Sequence, residues 1–172
     1  IELAGRTKIL KDLILEELNE HIENPFIKFF NIFNKTIIND LRIENFADMY
    51  AQIIGIGLLF LRLSKNENIT KDNLLTQIPK YIPLLKDFFP NVSFDEWDRD
   101  ILWILDDIIC LINSIDKDFI KNALSYKNMS LIEKRDTNLK DPFIHFYELF
   151  LTIYDKKLKA DKGVFYTVKI FN

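Results

Sequence analysis

Four carboxylates fall within six positions, at Asp95, Glu96, Asp98 and Asp100, and form the densest set of potential metal ligands or general acids in the chain. Oxygen ligands at that density suit a hard divalent cation, the chemistry a nuclease uses. Their setting argues otherwise. Ser93 and Glu96 stand at capping-box spacing, with Val92 and Trp97 placed for a hydrophobic staple. The acids then crowd a first helical turn, where the helix dipole favours them. Asp106-Asp107 reads as the polar face of the same amphipathic helix, and no paired Asp and Glu-x-Lys constellation of a restriction nuclease accompanies either group. Two histidines, His21 and His145, and one cysteine, Cys110, are too few for a transition-metal cluster. His145 lies on a Phe/Tyr-rich segment, where a hydrogen-bonded structural imidazole is the expectation. Gly55-Ile56-Gly57 lacks the third glycine of a nucleotide loop and sits inside an apolar helix. Trp97 and Trp103 read as core residues rather than platforms for stacking bases.

The elements that would position these groups are helical. Leu3, Leu10, Leu13, Ile14 and Leu18 form one stripe with acids on the other face. Asn24-Pro25 reads as an N-cap followed by Pro at the first helical position. It opens a second helix through Phe26, Phe29, Phe30, Phe33 and Ile37. A third helix carries Phe46, Tyr50, Ile53, Ile54 and Leu58 and becomes apolar all round near Gly55 and Gly57. It should be central and buried, with the glycines admitting a neighbouring helix closely. Thr70 should cap a short helix ending near Pro79, and Tyr81 to Phe89 form another. The helix opened at Ser93 runs through Ile101, Leu105, Ile108, Ile109 and Ile112, and a shorter one spans Phe119 to Tyr126. After a polar loop over 127–140, Asp141-Pro142 starts a final helix to Tyr154. Past Gly163, Val164, Phe165, Tyr166, Val168 and Ile170 favour a strand-like extended tail. The expectation is an all-α multi-helix bundle over 1–154, then a basic linker and short extended tail over 155–172.

Composition narrows the class. Apolar residues make up 48% of 172, with 15 Phe, which supports a folded core rather than disorder. Four Gly and five Pro are few for a many-stranded sandwich. A single Cys fits a reducing compartment, and the apolar run Ile53 to Leu61 is shorter than the ~20 residues of a membrane span. A soluble, cytoplasmic protein is expected. The chain opens without a Met, as a trimmed fragment would. Charge is unevenly spread. Residues 117–172 hold 11 Lys/Arg against 7 Asp/Glu, net +4, while the rest holds 12 against 19, net −7. The acidic part should repel phosphate, so any nucleic-acid contact belongs to the C-terminal third.

Two motifs carry a resemblance. Glu44-Asn45-Phe46-Ala47-Asp48-Met49-Tyr50-Ala51-Gln52 runs straight into the apolar stretch. Asp141-Pro142-Phe143-Ile144-His145-Phe146-Tyr147-Glu148 leads through a Lys-rich patch to Gly163-Val164-Phe165-Tyr166-Thr167. In this order they resemble the helical domain just upstream of the catalytic domain in adenine-specific DNA methyltransferases of single-chain (type II and type ISP) restriction-modification enzymes. The opening Leu3-Ala4-Gly5-Arg6-Thr7 is similar to that domain's first helix. The resemblance implies a helical coupler whose partners are the methyltransferase and nuclease or helicase modules of a parent chain, with no membrane partner. It implies S-adenosylmethionine as the parent's cofactor, none in this chain itself, with Tyr166 and Thr167 near the methionine end. Lys156, Lys157, Lys159 and Lys162 would face the DNA backbone. Val168 stands where the family has Pro, a departure from the cofactor motif. The Asn/Asp-Pro-Pro-aromatic loop that holds a flipped adenine is missing, since Asn24-Pro25-Phe26 lacks the second Pro. A non-catalytic fragment is therefore expected. The alternatives are an independent helical protein-interaction module that dimerises through an exposed Phe/Leu face, and a bundle with a small-ligand pocket near Gly55 and Gly57.

Overall fold

The computed structural model describes residues 2–20, 23–36, 40–64, 67–77 and 94–123, with 150, 151, 153 and 154. The fold is all-α, and no strand occurs among the described residues. The chain divides into two compact units, Arg6–Ser114 and Ile1–Gly5 with Ile115–Asn172.

Most of the larger unit is built on four long helices. α1 (Glu2–Glu20) buries Thr7, Leu10, Ile14 and Leu18, spaced three or four apart on one stripe. Asn24 then does two jobs. Its Oδ1 accepts from the Ile27 amide at 2.7 Å, capping α2 (Pro25–Thr36), while its Nδ2 donates to the Glu17 carbonyl near the end of α1 at 2.8 Å. One buried side chain thus satisfies orphan groups at both helix ends. α2 buries Phe26, Phe29 and Phe33; Ile37 lies outside the described residues. After α2, Asp40 takes a φ of 63°, a left-handed conformation that Asp tolerates better than most residues. The Leu41 amide donates to Asn34 Oδ1 at 3.0 Å there.

α3 (Ile43–Ser64) is the axis of the unit, about 33 Å long at 1.5 Å per residue. Phe46, Ala47, Tyr50, Ala51, Leu58 and Leu61 have no measurable exposure. Phe46 and Tyr50 extend the apolar face well before Ile53, so α3 is long and apolar enough to cross a membrane by length and composition. Yet 67% of its most apolar window is buried inside the fold, so much of that surface is already used in packing.

Rings from α2, α3 and the segment around Trp97 interlock. Tyr50 meets Phe26 edge-on at 5.6 Å and Phe29 at 5.7 Å, and Phe26 reaches Trp97 at 5.1 Å. Phe46 completes the set against Phe29, Phe30 and Phe33. Such pairs contribute roughly 0.5–1.5 kcal/mol each beyond area burial.

α4 (Lys71–Gln77) is capped reciprocally, as expected of Thr70. The Asn73 amide donates to Thr70 Oγ1 at 3.2 Å, and the Thr70 amide donates to Asn73 Oδ1 at 2.8 Å. The loop before it is held by Asn113, whose side chain accepts from the Ile69 amide at 2.9 Å and donates to the Ile69 carbonyl at 2.7 Å. That doubly bonded peptide lets Ile69 be buried within a loop.

The start of the next helix differs from expectation. A 3-10 turn, Phe94–Glu96, precedes a break at Trp97, and α5 (Arg99–Ser114) opens at Asp98, whose Oδ1 accepts from the Asp100 amide at 2.7 Å. Trp97 is drawn into the aromatic cluster, and Asp98 takes the capping role assigned to Ser93. Ser93 and Val92 themselves lie outside the described residues. α5 packs on α3 through Ile101, Ile104, Leu105, Ile108, Ile109 and Ile112.

In the smaller unit, α6 (Lys117–Ala123) begins two residues before the expected Phe119, because Asp116 caps it, its Oδ1 accepting from the Asp118 amide at 2.9 Å. Near the expected final helix, Phe150, Leu151 and Tyr154 are buried in helical conformation, with the Phe150 and Tyr154 rings stacked at 5.3 Å. The expected helix over 81–89, the 127–140 loop, the Asp141-Pro142 start and the extended tail fall outside the described residues. The expected linker and tail over 155–172 lie outside the described residues.

The glycine expectation holds at Gly55. A Cβ built there would run into Thr7 Oγ1 and lie 3.2 Å from its Cγ2, so α1 approaches α3 over a bare backbone. Gly55→Ala gains about 1 kcal/mol of helix propensity but overpacks the crossing by roughly 1–3 kcal/mol. The expected result is net destabilisation in the wild-type background. In a Thr7→Ala background, denaturant titration should find Gly55→Ala neutral or stabilising. Equal effects in both backgrounds would mean that the crossing is not sterically tight.

Candidate functional site

The acids singled out by sequence do not gather around one another. Asp95 and Glu96 sit exposed on the 3-10 turn, and Asp98 caps α5. Asp98 and Asp100 instead face α1. With Glu16, Glu17 and Glu20 they line a cavity of about 160 Å³, completed by Leu13 and Ile101. Five carboxylates therefore meet at one groove, though no cluster of three or more His, Cys, Asp or Glu among the described residues could hold a metal ion. The spacing is too wide for coordination. What the groove offers is a negative field.

Asp106 and Asp107, expected only as a polar face, each reach a different helix. Asp107 pairs with Arg6 of α1, and Asp106 accepts from Lys71 Nζ of α4 at 2.8 Å. All four side chains are about a quarter to a half exposed, so each pair contributes at most about 1 kcal/mol. Their main effect is orientation, since adjacent residues on α5 hold neighbours on opposite sides.

Several sequence-based assignments change. Trp97 is buried as expected, but Trp103 is 64% exposed and is not a core residue. It shares the outer face of α5 with Arg99, Asp106 and Cys110, all exposed. The phase of those polar neighbours, three to seven residues away, was the available signal. The alternative of a small-ligand pocket near Gly55 and Gly57 meets the Thr7 side chain at Gly55, and both glycines lie within α3 rather than in a phosphate loop. Phe26 is 1% exposed, so the Asn24-Pro25-Phe26 segment presents no ring to a base. Burial pushes the Tyr50 phenol well above its ordinary range, which keeps it protonated and suits packing rather than proton transfer. His21, His145, Lys156, Lys157, Lys159, Lys162, Tyr166 and Thr167 lie outside the described residues.

One buried cation was missed by sequence reasoning. Arg62, in the last turn of α3, is 9% exposed, and its Nε and Nη1 have no acceptor among the described residues. Only its position on an otherwise apolar helix marked it. The buried Trp97 Nε1 likewise has no acceptor among the described residues.

No family model matches the chain, no curated protein matches it, and no solved structure matches its fold.

A buried guanidinium with two nitrogens lacking an acceptor among the described residues carries a desolvation cost, so an apolar side chain of similar length should be better tolerated than the native one. Arg62→Met is expected to raise the unfolding free energy by about 1 kcal/mol or more, read from denaturant midpoints at constant slope. A fall in stability would show that the guanidinium has an acceptor.

Proposed function

We propose that this chain is the non-catalytic helical module that precedes the catalytic domain of an adenine-specific DNA methyltransferase in a restriction-modification enzyme. Its work is mechanical. It couples the methyltransferase to a nuclease or helicase module and supports the DNA cleft. Support comes from the two motifs, at 44–52 and 141–167, in the order of that family.

The observation that carries the reading is what the first motif does. Phe46, Ala47, Tyr50 and Ala51 are fully buried along one face of α3, and Gln52 Nε2 donates to Asp48 Oδ2 at 2.9 Å one turn away. Four of the motif's five apolar positions serve packing, and the fifth, Met49, is half-buried. A motif of this kind suits a brace. On this reading S-adenosylmethionine belongs to the parent enzyme, with Tyr166 and Thr167 at the edge of its site. Lys156, Lys157, Lys159 and Lys162 lie toward the DNA backbone, and the whole acts in the cytoplasm. The exposed Trp103 favours a second reading, an independent protein-interaction module.

Two results test the first reading. The open reading frame downstream of residue 172 should encode an Asn/Asp-Pro-Pro-aromatic loop, and a frame without one contradicts it. By calorimetry the 172-residue chain should leave S-adenosylmethionine unbound, whereas micromolar binding would place a cofactor pocket within this module.

A further inference from the structure

Most arginines near a helix end bury the stem and keep the guanidinium in water. Arg62 does not. It stands in the last turn of α3 and is 9% exposed, with Nε and Nη1 buried and without an acceptor among the described residues. Its place on the helix explains the burial. Arg62 follows Gly55 by seven residues and Leu58 by four, so it lies on the stripe of α3 that α1 crosses at Thr7. Leu58, Leu59 and Leu61 beside it in sequence are at most 2% exposed. Ser64, the nearest hydroxyl in sequence, donates to the Leu61 carbonyl at 3.0 Å.

A guanidinium carries its charge permanently, with five N–H donors and no acceptor. The C-terminal end of a helix favours a positive charge through its dipole, and its last carbonyls often accept from such an arginine. Those of α3 do not accept from Nε or Nη1. Folded proteins rarely leave buried donors unmatched, least of all on a charged group. Water satisfies a donor and leaves the charge uncompensated, whereas an oxyanion answers both.

We propose that Arg62 is the receptor of an oxyanion, a carboxylate or a phosphate-type group that accepts from its guanidinium at the end of α3. The donor set selects the class. A planar fork of N–H groups matches the oxygens of either group, and the ionic partner strengthens each bond. The small part of the residue that remains at the surface gives the line of approach. The inference goes beyond the coupling role and does not rest on the methyltransferase relation, because it follows from one side chain and its burial. It also gives a reason for an arginine at a position where methionine should make the chain more stable.

The test follows the urea unfolding midpoint of the full chain while inorganic phosphate, or acetate, replaces chloride at constant ionic strength. An anion that binds only the folded state raises stability with the logarithm of its concentration, once that exceeds the dissociation constant. The wild type should therefore gain with each tenfold rise in at least one of the two anions. Arg62→Met should lose that gain and keep only the general effect of excluded anions on any protein surface. Arg99→Met removes the same charge from an exposed position and should respond as the wild type does. A response to phosphate alone assigns a phosphate-type group, and a response to acetate alone assigns a carboxylate. The Arg62 Nε–H signal, identified in an isotope-edited NMR spectrum by its loss in Arg62→Met, should shift on addition of the same anion. That shift reads the contact without reference to stability. A wild type indifferent to both anions overturns the proposal, and so does an equal gain in Arg62→Met. Arg62→Met less stable than the wild type in chloride also overturns it, because the chain itself would then supply the acceptor.

Discussion

The fold depends on the burial of one helix. α3 has apolar side chains around nearly its whole circumference, so its stability requires neighbours on each side. Two kinds of contact meet that requirement. Towards its N-terminal half, Phe46 and Tyr50 are enclosed by the rings of Phe26, Phe29, Phe33 and Trp97. In its middle, Gly55 removes the side chain that would hold α1 away, and Thr7 moves into the space. Bulky rings at one level and a missing Cβ at another fix both the spacing and the register of the surrounding helices.

The polar interactions then act as locators on that packed frame. Asn24 joins α1 to α2, Asn113 pins the peptide of Ile69, and the adjacent Asp106 and Asp107 reach Lys71 and Arg6 on separate helices. None is strong alone, since each net hydrogen bond contributes about 1 kcal/mol. Together they decide where α1, α4 and α5 lie. The placement has a consequence at the surface. α1 and α5 are held with their acidic ends side by side, which leaves five carboxylates along one groove.

Local chemistry was the legible part of the sequence. The Asn24-Pro25 start, the Thr70 cap and the central position of α3 follow from residue types a few positions apart, and all three occur as expected. Gly55 was legible too, because two glycines in an apolar helix need a close neighbour to justify their cost. Features that depend on distant partners were not. Trp97 leaves the helix because rings on α2 and α3, far away in sequence, attract it, and the helix start therefore moves from Ser93 to Asp98. Trp103 was read as core from its residue type, although its phase with Arg99, Asp106 and Cys110 placed it outside. The acidic groove joins residues about eighty positions apart, and no local pattern records such a meeting.

The stability of the larger unit rests on α3. Native-state hydrogen exchange measures this directly, since amides that open only on global unfolding report the full stability while peripheral ones exchange through local openings. The slowest amides should lie in α3 between Tyr50 and Leu61, sharing one free energy with those of α5 around Leu105 to Ile109. Faster exchange through α3 than through α1 or α4 would contradict the claim and place the structural centre elsewhere.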